Sequence, residues 1–337
     1  MSANLLERRA PYFGRHGSYP PRLGWLPKVH AAVRADPLVF SRSQAPVVLG
    51  VGSSMVRAMR FWSHAFGLIR LGHRRSGTRP ATVTRRAAWL LDEDLGADPY
   101  LEDPGTLWLL HWWLLSAHPC HVPTFRFTFG QWWRTRFPRS ELRHAVRSAA
   151  VATGWREPSE SLITRDITAL IAMYTEPRYR PGTRIPAEGL EDFLTSRFRQ
   201  FGLVDAAPEH RDSTEDPAPR GSELLIHRHR GNTAPRAILA SASLEYAHTG
   251  GTPDPGSIAL ARLHNDPLGP GWLMLTDHRA LHTALSWAAN GPLANHVALS
   301  ESSLDGELLS FATPPRALAR RLLAAYYHLP DGPGAPR

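Results

Sequence analysis

The stretch Leu49–Trp62, LGVGSSMVRAMRFW, decides the fold of the N-terminal part of the chain. Gly50 begins a tight turn, and Ser53 is placed to cap a helix predicted over residues 54–66. The apolar residues of this helix recur at the spacing of one buried face: Met55, Val56, Met59, Trp62 and Phe66. Gly67 then ends the helix, because glycine adopts the left-handed conformation at little cost. A turn followed by such a helix is typical of the second half of a helix-turn-helix.

Shorter patterns on both sides complete a winged helix-turn-helix spanning Trp25 to Arg86. Helices are predicted at Pro27–Arg34 and Ser43–Leu49 before the turn, and strands at Leu68–Arg70 and Ala81–Arg85 after it. In such folds the third helix enters the major groove of DNA, and the loop between the strands, the wing, follows phosphates. The predicted DNA-binding residues are Ser54, Arg57 and Arg60 on the helix and Arg74, Arg75 and Arg79 on the wing, with Arg85 and Arg86 at the wing's exit. A winged helix that contacts only proteins is the alternative.

The charge of the chain favours a polyanionic partner. It has 39 basic and 30 acidic residues, a formal net charge of +9, and we expect the partner to be double-stranded DNA. Cys120 is the single cysteine, which excludes an intrachain disulfide and a cysteine-based zinc site. The N-terminal stretch MSANLLERRAPYFG lacks the apolar segment of a signal peptide, and no apolar run is long enough for a membrane span. We therefore expect a cytoplasmic protein with no membrane partner.

The rest of the chain is predicted to be α+β and mainly helical. Its expected layout is a winged-helix domain (1–95), a helical domain (96–204), a linker (205–222) and a C-terminal mixed α/β domain (223–330). In the helical domain, Ser140–Ala152 and Glu160–Tyr174 form a helix pair that is either a second helix-turn-helix or a plain helical hairpin. Ser161, Thr164, Arg165 and Thr168 face outward on its second helix, and Arg165 is a further candidate for DNA binding.

Acidic residues concentrate near position 100. Glu102 and Asp103, with Glu93 and Asp98 before them and His111 after them, are candidates to hold a divalent metal for nuclease chemistry. Asp103 precedes Pro104, so the simpler interpretation is a helix cap. The common nuclease pattern that ends in E-x-K is absent, since Lys28 is the only lysine of the chain and no glutamate lies two residues before it.

Several segments together resemble a known family. They comprise Gly14, His16, Arg22, Gly24, Trp25 and Leu26, then LGVGSSMVRAMRFW, DPYLEDPGTLWLLHW and SESLITRDI, and finally Tyr326-Tyr327. The chain resembles the bacterial domain-of-unknown-function family numbered four thousand and seven. The resemblance covers about residues 13–175 well and the C-terminal third loosely.

The resemblance implies a function. Members of the family include the DNA-nicking component of the Ssp phosphorothioation system, which replaces a non-bridging phosphate oxygen by sulfur in anti-phage defence. It implies a nickase that uses Mg²⁺ or Mn²⁺ and acts with a cysteine desulfurase, an ATPase and an ATP-pyrophosphatase-type sulfur-transfer protein. The family's His-Glu-Thr-Phe is here His16-Gly17-Ser18-Tyr19, so the glutamate is lost and only His16 remains as a catalytic candidate beside Glu102 and Asp103. A non-catalytic DNA-binding adapter and a transcriptional regulator of the operon are the alternatives.

Overall fold

A computed structural model describes residues 13–73, 77–176, 197–206, 223–249, 256–303, 306–330 and 332–333. Its first group of elements contains helices α1 (Trp25–Ala35), α2 (Ala45–Leu49) and α3 (Ser53–Ala65), followed by strands β1 (Ile69–Leu71) and β2 (Ala81–Val83). The two strands pair antiparallel, with Ile69 opposite Val83. This is the order of elements predicted from the sequence.

Two glycines set the ends of α2 and α3 as predicted. Gly50 has φ +62° and follows α2, and Gly67 has φ +73° and follows α3. Residues other than glycine rarely adopt these positive φ angles, because their Cβ atoms crowd the backbone. The predicted cap at Ser53 is wrong: Ser53 is already helical, and Gly52 occupies the cap position without a side-chain bond.

Three helices connect the first group to the rest of the chain: α4 (Arg85–Leu91), α5 (Pro104–Ser116) and α6 (Pro123–Gly130). Asp103 caps α5 as predicted, since its carboxylate accepts a hydrogen bond from the Gly105 amide. Every residue of α5 from Gly105 to Leu115 is buried. A helix that is apolar on all sides lies inside a protein, and α5 is the central helix of this fold.

The second group is built around a three-stranded sheet. Strand β3 (Arg136–Pro138) leads into helices α7 (Arg139–Ala152) and α8 (Glu160–Tyr174), and strands β4 (Val204–Ala206) and β5 (Glu223–Ile226) follow. The strand order is β3-β5-β4, and both pairs are antiparallel. Asp205, placed at the start of the predicted linker, belongs to β4, and β4 pairs with β5 across residues 207–222, which lie outside the described residues.

The C-terminal group repeats this arrangement of strands. It comprises α9 (Arg236–Thr249), β6 (Gly256–Ala259), α10 (Leu260–Asn265), α11 (Pro270–Leu273), α12 (His278–Ala289), β7 (Val297–Ser302), β8 (Gly306–Phe311) and α13 (Pro315–Tyr326). Its sheet has the order β6-β8-β7, again antiparallel. Helix α9 packs against both α12 and α13.

One core joins the three groups, and the fold class is α+β and mainly helical, as predicted. Trp62 of α3 contacts Phe125 of α6, with ring centroids 5.8 Å apart. Phe66 stacks on Phe198 at 6.0 Å. The division into four segments stays a prediction. In the described part of the chain, no helix is both long and apolar enough to cross a membrane.

Candidate nucleic-acid interface

The outward face of α3 presents basic side chains, as predicted. Arg57 is exposed and Arg60 is half-buried, while Val56, Met59 and Trp62 are buried on the opposite face. Ser54 is half-buried, and its hydroxyl lies 3.3 Å from the Tyr19 hydroxyl. Arg57 is therefore the basic side chain of this helix that is exposed to solvent.

The wing is only partly described. Arg79 is exposed, and its guanidinium donates a hydrogen bond of 2.9 Å to the carbonyl of Gly72 across the loop. Arg74 and Arg75 lie outside the described residues. Arg85 and Arg86 follow β2 after Thr84, as predicted, but they are the first residues of α4, and the Arg86 guanidinium lies over the Trp113 ring at 4.2 Å.

His16 lies in a buried contact between elements. Ser18 donates a backbone hydrogen bond of 3.1 Å to His16 Nδ1, which leaves the proton on Nε2, and Nε2 donates to Asp166 Oδ1 at 2.9 Å. The His16 side chain is 1% exposed. Both ring nitrogens are thus engaged within the protein, which is the geometry of a structural contact. Its catalytic assignment stays a prediction.

The acidic loop before α5 is held by hydrogen bonds. Asp98 accepts from the backbone amides of Glu102 and Asp103 and, at 2.6 Å, from the Thr106 hydroxyl. Arg197 donates to the carbonyls of Leu101 and Glu102. Leu101 has φ +57°, a conformation that costs a non-glycine residue about 1–2 kcal/mol. These contacts fix the loop in a strained conformation.

Two tyrosines from the end of α13 complete this loop. The Tyr326 hydroxyl donates to Asp103 Oδ1 at 2.8 Å, and the Tyr327 hydroxyl donates to Thr106 at 2.7 Å, since Thr106 already donates to Asp98. Burial raises the pKa of Tyr326, and the neighbouring Asp103 raises that pKa further. Burial likewise raises the pKa of Tyr327. Both hydroxyls therefore keep their protons and act as hydrogen-bond donors at neutral pH.

The predicted metal ligands lie at the surface of this loop. Glu102 is exposed, and Asp103 uses only Oδ1 in the hydrogen bonds that the structure shows. Within the described ranges, no three His, Cys, Asp or Glu side chains are grouped so as to hold a metal ion. Mg²⁺, however, is often held by one or two carboxylates together with water and substrate phosphates. Glu102 and Asp103 fit such a Mg²⁺ site only if a substrate phosphate supplies further ligands.

His111 does not belong to the acidic loop. It is fully buried, its Nε2 donates to the Leu273 carbonyl at 2.8 Å, and its Nδ1 accepts from the Tyr174 hydroxyl at 2.7 Å. Burial lowers the pKa of His111 to about 4, against the smaller opposing effect of the Leu273 hydrogen bond. His111 is a neutral structural residue at the centre of the molecule.

Sequence reasoning missed Asp166. Its carboxylate is buried and accepts from the Gly14 amide, His16 Nε2 and the Thr124 hydroxyl, all within 2.9 Å. The signal was an acid on the inner face of α8, one turn from Ile163 and Leu170. A carboxylate at such a position needs hydrogen-bond donors from elsewhere in the fold.

These features define the class of the protein, and comparison with known proteins then gives its family. Fold and site together describe a mainly helical α+β protein with an exposed arginine on α3 and an acidic loop held by hydrogen bonds. The family described as "Protein of unknown function (DUF4007)" matches residues 13–327, and the chain belongs to this family. The resemblance seen in the sequence is confirmed.

Two solved structures are similar to the whole chain. A crystal structure of SspB bound to a magnesium ion has a TM-score of 0.84, and another SspB crystal structure has 0.83. Each is 34% identical in sequence and covers 97% of this chain and 91% of its own. No curated protein matches the chain.

Proposed function

We propose that this protein binds double-stranded DNA through a winged helix-turn-helix formed by α1, α2, α3, β1 and β2. The observation that carries the proposal is the exposure of Arg57. Arg57 lies on the second turn of α3, the helix that follows the Gly50 turn. Arginine at this place in such a fold can reach the O6 and N7 atoms of guanine. The net charge of +9 adds an attraction to the phosphate backbone.

The binding proposal has a direct test in the Arg57→Ala, Arg60→Ala double variant. A base-reading arginine should cost about 1–3 kcal/mol on the preferred sequence when it is removed, and much less on random DNA. We expect this loss of affinity when Arg57 is removed. Titration of specific and random duplexes across a salt series measures it. Arg236→Ala, which removes an exposed charge on α9, is the control. Wild-type binding by the double variant at every salt concentration would show that α3 does not touch DNA.

We further propose that the bound DNA is nicked as a step of phosphorothioate modification in anti-phage defence. Family membership and the likeness to SspB support this context, with a cysteine desulfurase, an ATPase and an ATP-pyrophosphatase-type protein as partners. Glu102 and Oδ2 of Asp103 would hold Mg²⁺ or Mn²⁺ against a backbone phosphate. A divalent ion there supplies charge stabilisation for cleavage of the phosphodiester. Asp98, Tyr326 and Arg197 position the loop that carries these carboxylates.

The nicking proposal predicts a metal-dependent change in plasmid form. Purified protein incubated with supercoiled plasmid and Mg²⁺ or Mn²⁺ should yield open circles, and EDTA should abolish them. Glu102→Gln removes an exposed charge that makes no hydrogen bond to a described side chain, so folding and DNA affinity should stay near normal while nicking is lost. Asp94→Asn, another exposed acid, is the control. Full nicking by the Glu102→Gln, Asp103→Asn double variant would reject these metal ligands.

A DNA-binding adapter without nicking activity is the second candidate. It is favoured by the lack of a group of three metal-ligating side chains in the described residues. The plasmid experiment separates the two, since an adapter binds plasmid and leaves it supercoiled at any metal concentration.

A further inference from the structure

The second group of elements has the connectivity of a winged helix. A helix (α6), a strand (β3), two helices (α7 and α8), a short 3-10 helix (Arg197–Phe201) and an antiparallel strand pair (β4 and β5) follow in this order among the described residues, and β5 lies between the other two strands. In this connectivity α8 corresponds to the helix that reads DNA. A plain helical hairpin would not need the β3-β5-β4 sheet.

The outward face of α8 is polar and suited to phosphate contacts. Ser161, Thr164, Arg165 and Thr168 are exposed, whereas Ile163, Ile167 and Leu170 are buried. Glu160 at the start of α8 is the one acid on this face, and Arg147 and Arg143 lie 3.5 and 3.8 Å from its carboxylate. The two arginines therefore neutralise the charge of Glu160, and Arg165 gives the outward face of α8 a positive charge.

The turn formed by residues 13–19 connects α8 to α3 directly. His16 stacks on Trp62 of α3 with ring centroids 5.5 Å apart, and on its other side it donates to Asp166 of α8. Trp62 Nε1 donates to the Tyr19 carbonyl at 2.9 Å, and the Gly14 amide donates to Asp166 at 2.7 Å. The two helices are thus fixed relative to each other through one buried ring.

This contact limits how both helices can meet DNA. A helix with its side chains is about 10–12 Å across, so two helices that contact one histidine ring have axes less than about 20 Å apart. Successive major grooves on one face of a duplex repeat at about 34 Å. At this contact the helices are too close to enter two successive major grooves, and the phosphate backbone beside the groove of α3 is the part of the duplex that α8 could reach.

Resting on the proposed DNA binding by α3, we infer that α8 and the turn at residues 13–19 clamp the sugar-phosphate backbone beside the groove that α3 enters. Arg165 on α8 and Arg15 on the turn are the clamping side chains. Both are exposed, and neither makes a hydrogen bond or ion pair with another described residue. The hydroxyls of Thr164 and Ser161 add neutral donors. The ligand is the backbone of a continuous duplex, recognised without regard to sequence.

The inference is tested by the salt dependence of binding. Each phosphate contact contributes a slope of about 0.9 in the logarithm of affinity against that of salt concentration. Arg165→Ala and Arg15→Ala should each reduce this slope by about one and weaken specific and random duplexes by the same factor, roughly tenfold at low salt. Arg57→Ala should instead lower the ratio of specific to random binding. Arg236→Ala is the matched control, and a thermal melt of each variant checks the fold.

A hydroxyl-radical footprint gives a second readout. Arg165→Ala should lose protection of a short run of sugars on one side of the site and keep the rest. If Arg165→Ala and Arg15→Ala bind like Arg236→Ala while Arg57→Ala weakens binding, the inference is wrong and the proposed function stands. If all four variants bind like wild type, the proposed function fails with it. If Arg165→Ala changes specific binding alone, α8 reads bases and the clamp is rejected.

Discussion

Replacing Asp166 by alanine is expected to lower the free energy of unfolding by about 3–5 kcal/mol. The variant leaves three buried donors without their acceptor: the Gly14 amide, His16 Nε2 and the Thr124 hydroxyl. An unsatisfied buried polar group costs about 1–3 kcal/mol. Because two of these donors lie on the N-terminal turn and the third lies on α6, the loss weakens the contacts of both segments with α8. Urea unfolding measures the change.

Two companion variants interpret the result for Asp166. Asp94→Ala removes an exposed carboxylate and should change stability by less than about 0.5 kcal/mol. Asp166→Asn keeps the shape and one acceptor oxygen, so it should fall between wild type and the alanine variant. A loss below about 1 kcal/mol for Asp166→Ala would mean that the carboxylate network does not hold the turn in place.

Acid should destabilise the protein through its buried histidines. The pKa of His111 is lowered by burial from 6.5 to about 4. Because the folded state holds this proton less tightly than the unfolded state, the contribution to stability is full above pH 6.5 and is lost as pH falls from 6.5 toward 4. A shift of this size corresponds to about 3 kcal/mol for a fully buried group. His121 adds to the same pH window, since burial first, and then its neighbour His64, lower its pKa to about 4.

The acid effect of His111 is measured by the free energy of unfolding between pH 4 and 8. Glutamine takes up no proton, so the His111→Gln variant should have a lower free energy of unfolding at pH 7 and a flatter dependence on pH below 6.5. The remaining slope is due to His30, His64 and His121, whose pKa values are also lowered by burial. His278→Gln changes an exposed histidine and should keep the wild-type slope. Parallel curves for wild type and His111→Gln would contradict the assignment.

Local signals account for what could be predicted from the sequence. Gly50, Gly67 and the apolar face of α3 have direct structural consequences, and Asp103 before Pro104 predicted the start of α5 correctly. Helix α6 was missed because PTFRFTFG is buried on all sides and shows no helical period. Strands β3 and β6 were missed, since each pairs with a strand that lies far away in the chain.

The residues of the candidate site show the same difference between local signals and contacts of distant segments. Arg57 could be predicted because helical spacing alone places it outward. The tyrosine partners of Asp103 and Thr106 could not, because Tyr326 and Tyr327 lie more than 200 residues away in the sequence. His16 was selected through the family resemblance, whereas the structure places it at a contact that only three-dimensional proximity to Trp62 and Asp166 reveals.

The complete burial of α5 bears on how this chain can change over evolutionary time. A helix without a solvent face has no stable form apart from the elements around it. The Trp112 indole donates to Glu245 of α9, and His111 on the same helix accepts from Tyr174 of α8. The chain therefore offers no boundary at which the elements from α1 to β2 could be exchanged for another unit. Under the proposed DNA binding, new specificities would arise by substitution on the exposed faces of α3, α8 and the loop between β1 and β2, while the buried scaffold is kept.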